Sequence, residues 1–407
     1  MDNVVARLMR YAKVWSESDY HANRGTTPST DRQFDMARLL VEELHGMGVD
    51  NAFVDDTCYV YASLPATPGC EHLPVIGLIA HMDTTPDMTG KDVKPQVLHY
   101  EGGDLVLNQE QNIVMKGSDF PELQKFVGQD LVCSDGTTLL GADDKAGVAE
   151  ILAAAEYLKT ARIKHATLKI AFTPDEEIGR GADRFDIPGF GADYAYTCDG
   201  GLIGEMEYET FNAAGATVDF KGLNIHPGSA KGKMVNAQYI AMEFQSLLPA
   251  AQKPEYTEGY EGFLHLTDME GSVEHARLRY IIRDHDMAKF TEKKEIMAAA
   301  ADFLNRKYGE GTVTLAVKDS YYNMREKIEP CFYIVERAMK AIRAVGMDAK
   351  TSPVRGGTDG ARLSYEGLPC PNLCTGGDNY HGRFEYIPVE DMEKCVEMLI
   401  SLLTNVE

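Results

Sequence analysis

The chain has 407 residues and a formal net charge of −23, with 63 acidic against 40 basic side chains. That length exceeds one ordinary hydrophobic core, so two domains are expected. So acidic a surface argues against nucleic acid or an anionic membrane as partner, and no stretch is apolar enough for a membrane span. The opening MDNVVARLMRYAKVW lacks the basic start and apolar run of a secretion signal. The eight cysteines form no C-x-x-C pair, so reduced, buried thiols in a cytoplasmic protein are expected. Cys370 and Cys374, the closest pair, read as packing in or beside a strand.

In chain order, STDRQFDMARLLVEELHGMG (29–48) reads as a helix. Ser29 or Thr30 is its cap, Phe34, Ala37, Leu40 and Leu44 its apolar stripe, and Gly46 or Gly48 its stop. AFVDDTCYVYASL reads as a hairpin. PVIGLIA (74–80) is an unbroken apolar run, as for a strand covered on both faces, and it leads into His81. DKAGVAEILAAAEYLK (144–159) reads as a helix with Val148, Ile151, Leu152, Ala155 and Leu158 inward. TLKIAFT (167–173) and YAYT (194–197) are the next strands. Strands alternating with helices predict an α/β catalytic domain, a mostly parallel sheet flanked by helices.

The middle of the chain differs in texture. GATVDFKG and ARLRYIIRD read as half-exposed strands, and MVNAQYIAMEFQSLL and MAKFTEKKEIMAAAADFLNRKYG as long helices. They predict a smaller α+β domain inserted at 211–324. FYIVERAMKAIRAVG, PCPNLCT and a last helix from about residue 389 return the chain to the main domain, 1–210 and 325–407.

Three predicted strands end in metal-ligating or acid–base residues. PVIGLIA runs into His81 and Asp83, LKIAFT into Asp175, Glu176 and Glu177, and YAYTC into Asp199. Sites in open α/β sheets form at the carboxyl ends of the strands, so these residues are expected at one edge. Asp143, in GADDKAG, sits just before a helix, where Asp143 or Asp144 would ordinarily be an N-cap. His381 follows the strand PNLCT. Each fragment alone fits a turn, a cap or a strand end; their common edge points to a site. His, Asp, Asp, Glu and His form a mixed nitrogen and oxygen set suited to Zn²⁺, Mn²⁺ or Co²⁺. The set serves two metals if one carboxylate is shared. Without cations, so many carboxylates would titrate upward. Adjacent Glu176 and Glu177 point opposite ways in extended chain. One is therefore expected to bind metal and the other to take a proton from the attacking water. Asp83, two residues after His81, suits a hydrogen bond to the imidazole.

AHMDT, GADDKAG, TPDEEIGRG, TCDGG and NYHGRFEY, in this order, resemble the co-catalytic dizinc exopeptidases that include carboxypeptidase G and the succinyl-diaminopimelate desuccinylases. HPGSAKGKMVNA (226–237) and RGGTDGARLS (355–364) are similar to substrate motifs of that family, and the resemblance spans the chain. It implies two zinc ions per subunit, with Mn²⁺ or Co²⁺ as substitutes. His81, Asp143 and Asp199 would hold one and Asp143, Glu177 and His381 the other, with Asp143 bridging. Asp83 would orient His81, and Glu176 would be the general base. The inserted domain would be a lid through which two subunits pair. Within it His226 would donate to the scissile carbonyl. Arg283 and Arg355 would bind a peptide carboxylate, and Gly357 and Asn379 would be further substrate contacts. The activity implied is metal-dependent release of the N-terminal residue from tripeptides, with small peptides as the partner. A dipeptidase, a carboxypeptidase or an N-acyl-amino-acid deacylase would share the metals and base and differ in the lid contacts. A non-catalytic binding protein on the same fold would have no use for Glu176.

Overall fold

The apolar runs that lead into the candidate residues become adjacent strands of an eight-stranded sheet. The structure is a computed structural model that describes residues 4–23 and 25–404. It divides into two units, one of Met1–Tyr208, Met324–Ser352 and Thr358–Glu407, the other of Glu209–Asn323 and Pro353–Gly357. Across the sheet the order is Phe53–Val54, Val60–Leu64, Leu168–Thr173, Ile76–His81, Tyr194–Gly200, Asn372–Cys374, Glu205–Glu209 and Lys350–Pro353.

The sheet is mixed. Ile76–His81 pairs in parallel with Leu168–Thr173 and with Tyr194–Gly200, which pairs in parallel with Asn372–Cys374. The flanks are antiparallel: Phe53–Val54 on Val60–Leu64, Val60–Leu64 on Leu168–Thr173, and Glu205–Glu209 on Asn372–Cys374. The expectation of a mostly parallel sheet therefore holds only at the centre. Residues 53–64 turn back at once, and a strand joined by so short a turn must run antiparallel, whereas a parallel neighbour needs a crossover. All six residues of Ile76–His81 are buried, as a strand covered on both faces requires. The helix Ala142–Ala161 packs against it, burying Val148, Ile151, Leu152, Ala155 and Leu158, and the last helix, Val389–Thr404, packs against that helix.

The helix near the N-terminus is Gln33–Gly46 and starts later than its expected caps; the residue before it, Arg32, makes no side-chain cap. The two candidate hydroxyls are used elsewhere. Ser29 donates to Asp175 and Thr30 to the carbonyl of Glu17. Met36, rather than Phe34, joins Ala37, Leu40 and Leu44 in the core. All eight cysteines are free thiols, seven of them buried. A satellite sheet of Gln96–His99, Asp130–Cys133 and Tyr386–Pro388, with a separate two-stranded ribbon, has its own apolar cluster around Tyr100, Leu131 and Tyr386. Among the described residues, no helix is long and apolar enough to cross a membrane.

The second unit is a four-stranded antiparallel sheet in the order Phe263–Gly271, His275–Asp284, Asn212–Lys221, Val313–Tyr321. Ala214, Ala216, Val218 and Phe220 alternate inward on one central strand, and Leu278, Tyr280 and Ile282 on the other. Phe244 of the helix Ala237–Leu247 and Phe290, Met297 and Leu304 of the helix Met287–Tyr308 complete that core. Sequence alternation marks only the two central strands. The edge strands bury Phe263, Leu264 and Val313 and little else, so they carry no period of two.

Candidate metal centre and active site

Because the central strands are parallel, their carboxyl ends open on the same edge. His81 is the last residue of Ile76–His81, and Asp199 lies near the end of Tyr194–Gly200. Leu168–Thr173 leads through Pro174 to Asp175, at φ 60°, and then into a short 3-10 turn, Glu176–Ile178. Glu176 and Glu177 are therefore not in extended chain, and the expectation that they point apart for that reason fails. They divide nonetheless: among the described residues Glu177 joins a candidate metal group and Glu176 joins none. Asn379 and His381, both at left-handed φ (57° and 63°), follow the strand Asn372–Cys374.

Asp143 sits at the non-helical start of the helix Ala142–Ala161, and the Asp143–Asp144 peptide is cis. Asp144 behaves as a cap, accepting the Gly147 N–H at 3.2 Å with one oxygen and the His81 N–H at 3.0 Å with the other. That frees Asp143. Its Oδ1 lies 2.9 Å from His81 Nε2, and its Oδ2 lies 3.2 Å from His381 Nε2. Asp199 Oδ1 is 3.4 Å from His81 Nε2, and Glu177 Oε2 is 3.0 Å from His381 Nε2. Two groups result, His81 with Asp143 and Asp199, and Asp143 with Glu177 and His381. Within each, candidate ligand atoms all lie within 4.8 Å of one another.

The electrostatics favour cations here. Burial, then the charge of Asp143, pushes Glu177 up to about 8. Burial, only partly offset by His81, pushes Asp199 up to about 6. Burial, then the charge of Asp199, raises Glu176 well above the carboxylate range. Hydrogen bonds to Asp143 and Glu177 push His381 up to about 11. Burial opposes charge on Asp143, but the hydrogen bonds from His381 and His81 outweigh it and hold that carboxyl below its ordinary range. Protons thus occupy positions that divalent cations would take, since metal binding needs neutral imidazole and ionised carboxylate. Among the described residues, Glu177 Oε1 has no hydrogen-bond partner, and it is buried. A shared carboxylate, two imidazoles and an orphaned carboxylate oxygen fit two cations of the Zn²⁺, Mn²⁺ or Co²⁺ kind.

Asp83 does more than its spacing predicts. His81 Nδ1 donates to the Asp83 backbone carbonyl at 3.0 Å, with Asp83 Oδ1 at 3.4 Å. The carboxylate itself accepts the N–H groups of Glu176 (3.0 Å) and Glu177 (3.2 Å). It therefore ties one imidazole to the turn that carries both glutamates. Glu385 has no counterpart in the sequence analysis. It is buried and accepts the N–H groups of Leu140 and Gly141 at 2.8 Å and of Asp143 at 3.0 Å, fixing the loop that presents the shared carboxylate. Its only signal is its place in NYHGRFEY. Asp359 of RGGTDG is likewise buried and accepts from Thr173 Oγ1 at 2.8 Å.

Asn379 is the one substrate-side candidate in the first unit, and its buried Nδ2 has no partner among the described residues. The other four belong to the second unit. His226 is exposed and heads the turn Pro227–Ser229. Its Nδ1 accepts the Gly228 N–H at 3.2 Å, which leaves the ring proton on Nε2. Arg283 donates to the carbonyls of Ala214 and Ile282 and lies over the Tyr321 ring. Arg355 donates to the carbonyls of Gly259 and Glu261 and to Thr257 Oγ1, and lies against Phe211 and Phe263. Both guanidinium groups are thus engaged inside their own unit. At Gly357 a Cβ would stand 2.5 Å from Tyr321 Cζ, so packing alone accounts for the glycine.

Residues 140–405 match the model of peptidase family M20/M25/M40. Over 406 residues the chain is 56% identical to peptidase T of Alkaliphilus oremlandii strain OhILAs, covering 99% of each chain. Aminopeptidase PepT from Bacillus cereus ATCC 10987 has a similar structure, with a TM-score of 0.77 at 25% identity, covering 100% of this chain and 98% of that one. A tripeptidase from Staphylococcus aureus subsp. aureus Mu50 shares the fold with a TM-score of 0.79 at 21% identity, covering 99% and 98%.

Proposed function

The chain belongs to peptidase family M20/M25/M40, and from that premise we propose that it is an aminopeptidase that releases the N-terminal residue of tripeptides. The observation that carries this is the pair of donor groups sharing Asp143, beside a Glu176 that belongs to neither. The names of its relatives support the peptide substrate. We assign His81, Asp143 and Asp199 to one zinc ion, and Asp143, Glu177 and His381 to the other. Two such cations would polarise the scissile carbonyl and acidify the attacking water.

The remaining work falls to the chain's own groups. Glu176, held at its N–H by Asp83, takes a proton from the attacking water as its oxygen bonds to the carbonyl carbon. It returns that proton to the leaving nitrogen as the C–N bond breaks. The Nε2–H of His226 is the proposed donor to the developing oxyanion. Asn379 Nδ2 is proposed on the substrate side, whereas Arg283 and Arg355, whose guanidinium groups are spent on carbonyls and rings of their own unit, are proposed as its scaffold, with Gly357 serving their packing. We place the reaction in the cytoplasm, on the strength of eight free thiols. We also propose that two copies pair through the second unit, supported by exposed Tyr239 and Met242 on Ala237–Leu247 and exposed Met269 on the edge strand.

The test is hydrolysis of Ala-Ala-Ala, Ala-Ala and N-acetyl-Ala-Ala-Ala by zinc-loaded protein. Cleavage of the free tripeptide alone, with release of its first alanine, is expected. Faster cleavage of the dipeptide or of the blocked peptide would move the activity to a dipeptidase or a deacylase.

A further inference from the structure

Asp175 opens the DEE run but joins neither donor group. An acid in a strand-end turn is ordinarily solvated, yet Asp175 is completely buried, as is Gln33, which lies 142 positions away in the chain. Each of its polar groups has a partner. Its N–H donates to Gln33 Oε1 at 3.1 Å, and its carbonyl accepts the Arg180 N–H at 2.9 Å. One carboxylate oxygen accepts from Ser29 Oγ at 2.5 Å and Gln33 Nε2 at 2.7 Å, and the other accepts the Ser29 N–H at 2.7 Å. Ser29 Oγ in turn accepts the Asp19 N–H at 3.0 Å.

The backbone at Asp175 is left-handed, φ 60° and ψ 22°, immediately before Glu176. Glycine is the default residue for that conformation and Asn or Asp the usual exception; here the aspartate carboxylate also makes three hydrogen bonds that a glycine could not make. The next two residues are held by Asp83, whose carboxylate accepts both of their N–H groups. The turn that aims Glu176 is thus held at Glu176 and Glu177 by Asp83 and at Asp175 by Ser29 and Gln33.

We propose that Asp175 is a positioning residue for Glu176, locking the base-bearing turn to the segment that enters the helix Gln33–Gly46. The proposal rests on Glu176 being the general base. It acts on proton transfer, so it affects turnover rather than substrate affinity, because small misplacement of a reacting group is costly.

The experiment compares wild type, Asp175→Gly, Ser29→Ala, Glu176→Gln and the double variant Asp175→Gly/Glu176→Gln. It measures kcat and KM on Ala-Ala-Ala, bound zinc and melting midpoint. Asp175→Gly keeps the left-handed backbone comfortable and removes only the grip. The expected result is a kcat lower by about tenfold or more, with KM within about twofold and zinc content unchanged. In the Glu176→Gln background the same change should cost less than about twofold, because its effect passes through the base. Ser29→Ala, which leaves the acid in place, should lower kcat by about threefold and so decides the matter if Asp175→Gly does not fold. A kcat within about twofold of wild type in Asp175→Gly, or in Ser29→Ala where Asp175→Gly does not fold, would overturn the proposal, as would an undiminished loss in the Glu176→Gln background. Full activity of Glu176→Gln alone would instead remove the base assignment beneath it.

Discussion

The metal edge of the first unit and the candidate substrate residues of the second differ in how their polar groups are spent. At the edge, groups converge faster than the chain can satisfy them. Glu177 keeps an orphaned oxygen, and burial lifts the carboxyls of Glu176, Glu177 and Asp199 among others. In the second unit, Arg283 and Arg355 are already engaged with backbone carbonyls and rings. Unsatisfied, crowded groups await a ligand, whereas satisfied ones build scaffold. The same residue types that suggest recognition in a motif therefore have different meanings in the two regions.

That contrast can be broken or sharpened by substitution. The largest effect is expected at Asp143, which serves both groups. Asp143→Ala should abolish turnover and reduce bound zinc from two per chain towards none, measured by elemental analysis; retention of both ions would end the bridging assignment. Glu176→Gln should keep both ions and lower kcat by about 10²–10⁴-fold. His226→Ala should lower kcat by about 10²-fold with zinc unchanged, and an effect confined to KM would make His226 a binding residue only. Glu385→Gln should weaken zinc by about tenfold in chelator competition, because it loosens the loop that presents Asp143. The smallest effect is expected at Arg355. Arg355→Ala should lower the melting midpoint by about 2–4 °C, as scaffold does. A change in KM for the tripeptide without loss of stability would return Arg355 to carboxylate recognition.

The crowding also has a pH signature. In metal-free protein Glu177 is raised from 4.5 to about 8 and His381 from 6.5 to about 11. A raised folded pKa stabilises most fully below the unfolded value and loses that contribution as pH climbs to the folded one. Both contributions decline together between about pH 6.5 and 8, and the His381 contribution goes on falling to about 11. Metal-free protein should therefore melt at a lower temperature at pH 9 than at pH 6.5. Zinc, which replaces those protons, should restore the midpoint at pH 9 and release protons on binding. An identical pH profile with and without zinc would contradict this.

What was legible in the sequence follows the same division. Apolar runs mark the central strands, unbroken in PVIGLIA, and the residues at their ends mark the metal edge, because burial on both faces leaves a strong local signal. Asp144 as cap and Asp143 as free carboxylate were both within reach of N-cap logic. The edge strands Phe263–Gly271 and Val313–Tyr321 were not, since strands with one or two buried residues lack alternation. The turn at Glu176–Ile178 has no signal in the sequence, because nothing local announces that Asp175 takes a left-handed conformation held by Ser29 and Gln33. Glu385 is silent in the sequence for a related reason. Its partners are backbone N–H groups more than two hundred positions away, and a carboxylate that binds backbone looks like any other in a sequence.

The most direct measurement is a zinc titration of metal-free protein followed by Ala-Ala-Ala hydrolysis, with Glu176→Gln in parallel. Two ions taken up per chain in both proteins, with turnover only in the wild type, is the result expected of paired groups sharing Asp143 beside a separate base. Uptake of a single ion, or equal turnover by the variant, would contradict it.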